Sequence, residues 1–187
     1  MEEIEVKILN VDRSKCETIL SNLGAIKKFE GELHALNFDN ETKEIKQKKQ
    51  VLRLRKEGNK QVLCLKEFIS KDIAKRMVEI EVDVSDFDKT KLILEKMGFS
   101  VKNGSIKHRV SWKLENTIFD FDKYKEEYNF IPEFLEIESD SIKSIKKYAK
   151  LLGFKEDELK PWSFKDLLKK LKKDNFDLKQ ENVKINS

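Results

Sequence analysis

Glu3-Ile4-Glu5-Val6-Lys7-Ile8 is the stretch whose reading decides the fold. Side chains on a strand alternate between faces, so Glu3, Glu5 and Lys7 share one face while Ile4, Val6 and Ile8 share the other. The same division into a charged and an apolar face returns in Val51 to Arg55, Gln61 to Lys66, Val78 to Val84, Ile106 to Leu114, Thr117 to Asp122 and Phe134 to Glu138. With a weaker run over Leu33 to Asp39, about eight strands are predicted. Gly58-Asn59 and Glu115-Asn116 each separate two such runs. Both dipeptides suit tight turns, so two antiparallel hairpins are expected.

Helical spacing fills the intervals. Apolar stripes run through Val11, Cys16, Ile19, Leu20 and Leu23, through Phe87, Leu92, Ile93 and Met97, through Ile142, Ile145, Ala149 and Leu152, and through Phe164, Leu167, Leu168 and Leu171. Asp12, Asp86 or Asp88, Ser139 or Ser141, and Ser163 are suitable N-caps, and Gly24, Gly98 and Gly153 close the first three stripes. Four short helices follow from this pattern. The tripeptide Glu-Ile-Glu also occurs at Glu3, Glu79 and Glu136, each time followed by a helical stripe and then Leu-Gly or Met-Gly. That recurrence predicts one strand-helix-glycine unit used repeatedly; the unequal spacing argues against a solenoid.

The 187 residues carry 39 Lys and Arg against 35 Asp and Glu, a net charge of +4, and 39% of them are apolar, enough for a core. One domain is expected over residues 1–172, followed by a polar tail over 173–187 that lacks any apolar periodicity. No apolar run approaches the roughly 18 residues that span a bilayer, and Met1-Glu2-Glu3 is unlike the basic start of a signal peptide. A cytoplasmic protein with no membrane partner is expected. Cys16 and Cys64 are too few for a disulfide framework, and His34 and His108 complete no zinc ligand set. The near balance of acids and bases argues against nucleic acid as a partner.

The placement of charge within strands says more than the total. Arg53 with Arg55, Lys107 with Arg109, Glu79 with Glu81, Asp120 with Asp122, and Glu136 with Glu138 are same-face groups of one sign. An open sheet could turn such a face to water. Segregated like charges at neighbouring positions repel, however, unless opposite charge lies between them. Closing about eight strands into a barrel, with helices over the apolar exterior, gathers all the charged faces in one lumen. Carboxylates there suit Mg²⁺ or Mn²⁺, and the Arg and Lys groups beside them suit phosphate oxygens. The expected class is therefore α+β, an eight-stranded antiparallel β-barrel with a charged interior.

These motifs, in this order, resemble the CYTH superfamily of triphosphate tunnel metalloenzymes, which includes class IV adenylyl cyclases, thiamine triphosphatases and inorganic triphosphatases. The resemblance runs from Glu3 to about Leu168. It rests on Glu3-Ile4-Glu5-Val6-Lys7, Leu52-Arg53-Leu54-Arg55, Leu63-Cys64-Leu65-Lys66, Arg76 to Glu81, Lys107-His108-Arg109, Asp122 and Phe134-Leu135-Glu136-Ile137-Glu138. It implies an Mg²⁺ or Mn²⁺ site formed by Glu3, Glu5, Asp122, Glu136 and Glu138, with Asp120 as the alternative to Asp122. It implies a triphosphate grip by Lys7, Arg53, Arg55, Lys66, Lys107 and Arg109, catalytic roles for Lys7 and Glu5, and an acidic wall of Glu79 and Glu81. Pro161 to Leu168 is similar to the family's C-terminal helix, which closes one tunnel end. Asn37 stands where many of the family's triphosphatases carry a Tyr that helps the lysine orient the attacking water. The implied activity is metal-dependent hydrolysis of inorganic triphosphate, ATP or thiamine triphosphate; the alternatives are cyclisation of ATP and non-catalytic binding of polyphosphate or nucleotide.

Overall fold

The computed structural model describes residues 2–171. The strands are β1 (Glu2–Leu9), β2 (Ile26–Asp39), β3 (Gln50–Glu57), β4 (Lys60–Lys71), β5 (Lys75–Asp83), β6 (Ser100–Leu114), β7 (Thr117–Tyr124) and β8 (Phe134–Ser139). They close into one barrel in the order β1-β5-β4-β3-β2-β6-β7-β8, and every pairing between neighbours is antiparallel. The expected α+β barrel is the observed architecture. Closure gives every strand a neighbour on both sides, although Ile26 to Glu32 of β2 and Ser100 to Ser105 of β6 pair on one side only.

Helices α1 (Arg13–Asn22), α3 (Phe87–Lys96), α4 (Ile142–Leu151) and α5 (164–171) are the four that the apolar stripes predict. A single helical turn α2 (Glu44–Gln47) and 3-10 turns at Glu126–Tyr128 and Glu156–Glu158 add to them. Caps fall where the sequence places them: Asp12 accepts from the Lys15 amide, Asp86 from Lys89, and Ser141 from Lys143 and Ser144. The strand-helix-glycine unit recurs as β1-α1-Gly24, β5-α3-Gly98 and β8-α4-Gly153, and the three glycines all adopt left-handed φ of 82°, 89° and 92°. A side chain there would strain the helix exit.

Strand lengths depart from the sequence pattern. β2 begins at Ile26 and not near Leu33, and β6 begins at Ser100 and not near Ile106. The two pair with each other from Ile26↔Lys113 to Asp39↔Ser100, and this ladder satisfies backbone groups in segments that carry little alternation of their own. The expected tail over 173–187 lies outside the described residues.

The barrel is apolar outside. Ile4, Val6, Ile8, Val110, Phe119, Phe121, Leu135 and Ile137 on the outer wall are buried under Cys16 and Leu20 of α1 and Ile145, Tyr148 and Ala149 of α4. Phe119 meets Tyr148 edge-to-face with ring centroids 5.5 Å apart, a contact worth about 1 kcal/mol beyond area burial. α3 seats Leu94 against Phe38 and Leu54. The helical cover is incomplete: Ile80 and Val82 on the outer face of β5 are exposed. At one tunnel end, α5 sets Leu167 and Phe164 against Leu9, Tyr124, Ile131 and Phe134.

Candidate active site

β8, β1 and β5, the three strands that share Glu-Ile-Glu, lie side by side in the barrel. Register then sets Glu5 opposite Glu138, Lys7 opposite Glu136, and Lys66 of β4 opposite Glu79. One sector of the lumen is consequently acidic. Arg53 pairs across strands with Cys64 and Asn37, Lys107 with Tyr124, and Arg109 with Asp122, so the cations flank that sector on β3, β4 and β6.

The side chains meet as a network. Lys7, 4% exposed, contacts Glu136 Oε1 at 2.5 Å and Glu5 Oε1 at 3.3 Å. Lys66 bridges Glu79 at 2.5 Å and Glu3 at 3.1 Å, and Arg53 reaches Glu79 at 3.4 Å. Arg55 donates to Glu81 at 3.1 Å. Asp122, fully buried, accepts from Arg109 Nε and Nη2, both at 2.7 Å, and also from Lys107 Nζ. Arg109 extends further to Glu136 at 2.9 Å and pairs with Asp120 through Nη1.

Charge is not balanced everywhere. Burial raises the Glu3 carboxyl to about 8, helped by its hydrogen bond with Glu79 and opposed by Lys66. Burial raises Glu138 to about 7 and Asp120 to about 6, with repulsion from neighbouring carboxylates adding to each. Glu138 makes no ion pair among the described residues, and the buried Asp120 Oδ1 has no hydrogen-bond partner. Elsewhere the cations win: burial pushes Glu5 up, yet Lys7 and Lys75 outweigh it and hold the carboxyl at about 2. Lys7, Lys107 and Arg109 together carry Glu136 well below the usual carboxylate range against its burial. Burial and the Glu79 carboxylate push the Cys64 thiol up to about 12, so it is an inert neutral group.

Every residue expected at the site faces the lumen: Glu3, Glu5, Lys7, Arg53, Arg55, Lys66, Glu79, Glu81, Lys107, Arg109, Asp122, Glu136 and Glu138. Asp120 joins them opposite Glu136. Arg76 lies opposite Ile4 and so belongs to the outer face, while Lys75 lies opposite Glu5 inside. The signal for Lys75 was present, since it shares parity with Glu79 and Glu81, but a start of β5 near Val78 leaves it off the strand. Tyr124 also faces inward, its ring 5.8 Å from Lys107 Nζ. Asn37 sits beside Arg53 and donates to Asn103 Oδ1 at 2.6 Å. His34 and His108 stay off the lumen face; His34 Nε2 lies 3.3 Å from Glu32.

The donor set fits a divalent cation. Glu3, Glu138 and Asp120 are hard oxygen donors whose proton affinity is raised first by burial and then by neighbouring carboxylates. Cys64, Glu79 and Glu81 also bring donor atoms within 4.8 Å of one another. Lys66, Arg53 and Arg55 contact those two carboxylates, just as Lys66 contacts Glu3 and Arg109 contacts Asp120, whereas Glu138 makes no ion pair among the described residues.

Solved structures share the architecture. The PH1012 protein from Pyrococcus horikoshii is 25% identical, matches 88% of this chain and 98% of its own, and gives a TM-score of 0.71. A "putative adenylate cyclase" from Vibrio parahaemolyticus is 17% identical over 89% of this chain and 97% of its own, with a TM-score of 0.71. A "putative adenylyl cyclase" from Hippeastrum, described as revealing a dominant triphosphatase activity, is 17% identical over 82% of this chain and 88% of its own, with a TM-score of 0.58. No curated protein matches. The CYTH domain description matches residues 1–173. With that match spanning nearly the whole chain, and with a closed barrel whose acidic and basic strands face one lumen, the protein belongs to the CYTH family.

Proposed function

We propose that the protein hydrolyses a phosphoanhydride bond of a triphosphate held in the barrel lumen, with Mg²⁺ or Mn²⁺ as cofactor. One observation carries the reading: within a single lumen, Glu138, which makes no ion pair among the described residues, and Asp120, whose Oδ1 has no hydrogen-bond partner there, stand beside a bank of Arg and Lys. A polyanion and a divalent cation together complement that distribution; either alone leaves half of it uncompensated. The Hippeastrum protein's dominant triphosphatase activity supports the same choice.

Glu3, Glu5, Glu138 and Asp120 would hold the cation, with Glu136 beside them. Asp122 is committed to Arg109 and Lys107, which makes Asp120 the better ligand. A bound Mg²⁺ or Mn²⁺ supplies Lewis-acid polarisation of phosphate oxygens. Arg53, Arg55, Lys66, Lys107 and Arg109 bind the phosphate chain and stabilise charge on the leaving group, the two-pronged guanidinium groups fixing its orientation. Lys7, buried between Glu5 and Glu136, keeps its proton and presents it towards the scissile phosphate. Asn37, in place of a phenol, contributes an amide and no acid or base.

Incubation with inorganic triphosphate, ATP or thiamine triphosphate, each with Mg²⁺ or Mn²⁺, and separation of products by ion exchange tests this directly. Orthophosphate release that stops in EDTA is the expected result. Cyclic AMP and pyrophosphate from ATP, with inorganic triphosphate untouched, would replace hydrolysis by cyclisation.

A further inference from the structure

Glu5 carries two lysines, Lys7 buried and Lys75 half-buried. Lys75 Nζ donates to Glu5 Oε1 at 2.9 Å, and Lys7 Nζ approaches that same oxygen at 3.3 Å. Their side chains are only 15% and 6% exposed. Lys7 has a second carboxylate in Glu136 at 2.5 Å; Lys75 has Glu5 alone among the described residues. The backbone beneath Lys75 is held firmly. It pairs with Glu5 on β1 and with Lys71 on β4, the adjoining Ala74 is buried, and Lys71 is tied to Asp166 of α5 at 2.5 Å. Only the side chain has freedom, four carbons ending in a compact ammonium that can change rotamer without moving the strand.

Resting on the reading above, we infer that Lys75 is a displaceable counter-ion for Glu5. With the lumen free of ligand it neutralises the carboxylate. A divalent cation drawn to Glu5 must compete with it, and the ammonium it displaces is then available to a phosphate oxygen. Lys75 is thus a positioning residue for Glu5 in one state and an anion ligand in the other. It couples the two ligands, because the cation frees the group that the triphosphate uses, and such coupling is reciprocal.

The inference has a signature that structural damage does not produce, namely opposite changes in two affinities. Mn²⁺ binding is followed by electron paramagnetic resonance without anion. Binding of non-hydrolysable imidotriphosphate is followed by calorimetry at saturating Mn²⁺. Lys75→Met should bind Mn²⁺ about fivefold more tightly, as a competing charge is gone, and imidotriphosphate about tenfold more weakly, as a charge-assisted contact is lost. Lys75→Arg should keep imidotriphosphate affinity within about threefold. Lys71→Met, which cuts the tie to α5 outside the lumen, should change neither affinity. If Lys75→Met does not fold by circular dichroism, Lys75→Gln takes its place. Both affinities weakening together, or Mn²⁺ binding unchanged, would overturn the inference while leaving the proposed function standing. Wild-type protein that binds neither Mn²⁺ nor imidotriphosphate would remove the proposed function itself.

Discussion

Replacing Asp122 with Asn removes one negative charge from a site that is fully buried. Both carboxylate oxygens are engaged: Oδ1 by Arg109 Nε at 2.7 Å, and Oδ2 by Arg109 Nη2 at 2.7 Å together with Lys107. Removing one partner of a buried ion pair costs roughly 3 to 5 kcal/mol, because the other charge stays desolvated and unpaired. Arg109 retains Asp120 and Glu136, which lowers the expected cost of Asp122→Asn to about 2 to 3 kcal/mol. For a chain of this size each kcal/mol moves Tm by roughly 2 to 4 °C, so Tm should fall by about 4 to 12 °C. Asp120→Asn differs in sign. Burial already pushes that carboxyl up to about 6, so at pH 7.5 its charge opposes folding, and neutralising it should leave Tm unchanged or higher. Mn²⁺ binding should be lost in Asp120→Asn. Differential scanning calorimetry in EDTA reads both stability effects. Equal losses of Tm in the two variants, or a loss under about 1 °C in Asp122→Asn, would refute the division of labour between these carboxylates.

Arg53→Lys keeps the charge but loses the two-pronged grip, so affinity for imidotriphosphate, measured by calorimetry, should fall about tenfold. Glu138→Gln should raise Tm in EDTA and abolish the stabilisation that Mn²⁺ gives the wild type, because Glu138 has no ion pair to lose among the described residues. Stability without metal should peak near pH 5. Glu3, Glu138 and Asp120 bind protons more tightly folded than unfolded, at about 8, 7 and 6, so stability is lost as pH rises through those values. Glu5, held at about 2, and the likewise lowered Glu79 and Glu136 stabilise above their unfolded range and lose that contribution as pH falls through their lowered values. Urea titrations across pH 3 to 9 should trace this curve, and Mn²⁺ should flatten its alkaline side.

The period-2 alternation determined which side chains share a face, because a strand offers only two directions and the apolar set must leave water. That was enough to sort Glu3, Glu5 and Lys7 from Ile4, Val6 and Ile8, to keep His108 away from Lys107 and Arg109, and to predict a closed barrel. Cap and glycine placement likewise fixed α1, α3 and α4, whose ends depend on local hydrogen bonds. Partnership between strands is another matter. Nothing local in β8, β1 and β5 says that they are neighbours, yet their adjacency gathers the carboxylates into one sector. The full length of β2 and β6 also came from pairing with each other. Asp120 and Asp122 have the same parity and similar sequence surroundings; they diverge only because closure brings Lys107 and the Nε–Nη2 edge of Arg109 onto Asp122, while Asp120 receives Nη1 alone and its Oδ1 has no hydrogen-bond partner among the described residues. Lys75 became a partner of Glu5 for a related reason, since β5 extends past its alternating core when β1 and β4 supply the hydrogen bonds on either side. Facing is a one-strand property that sequence encodes, whereas charge compensation depends on several strands at once and exists only after the barrel closes.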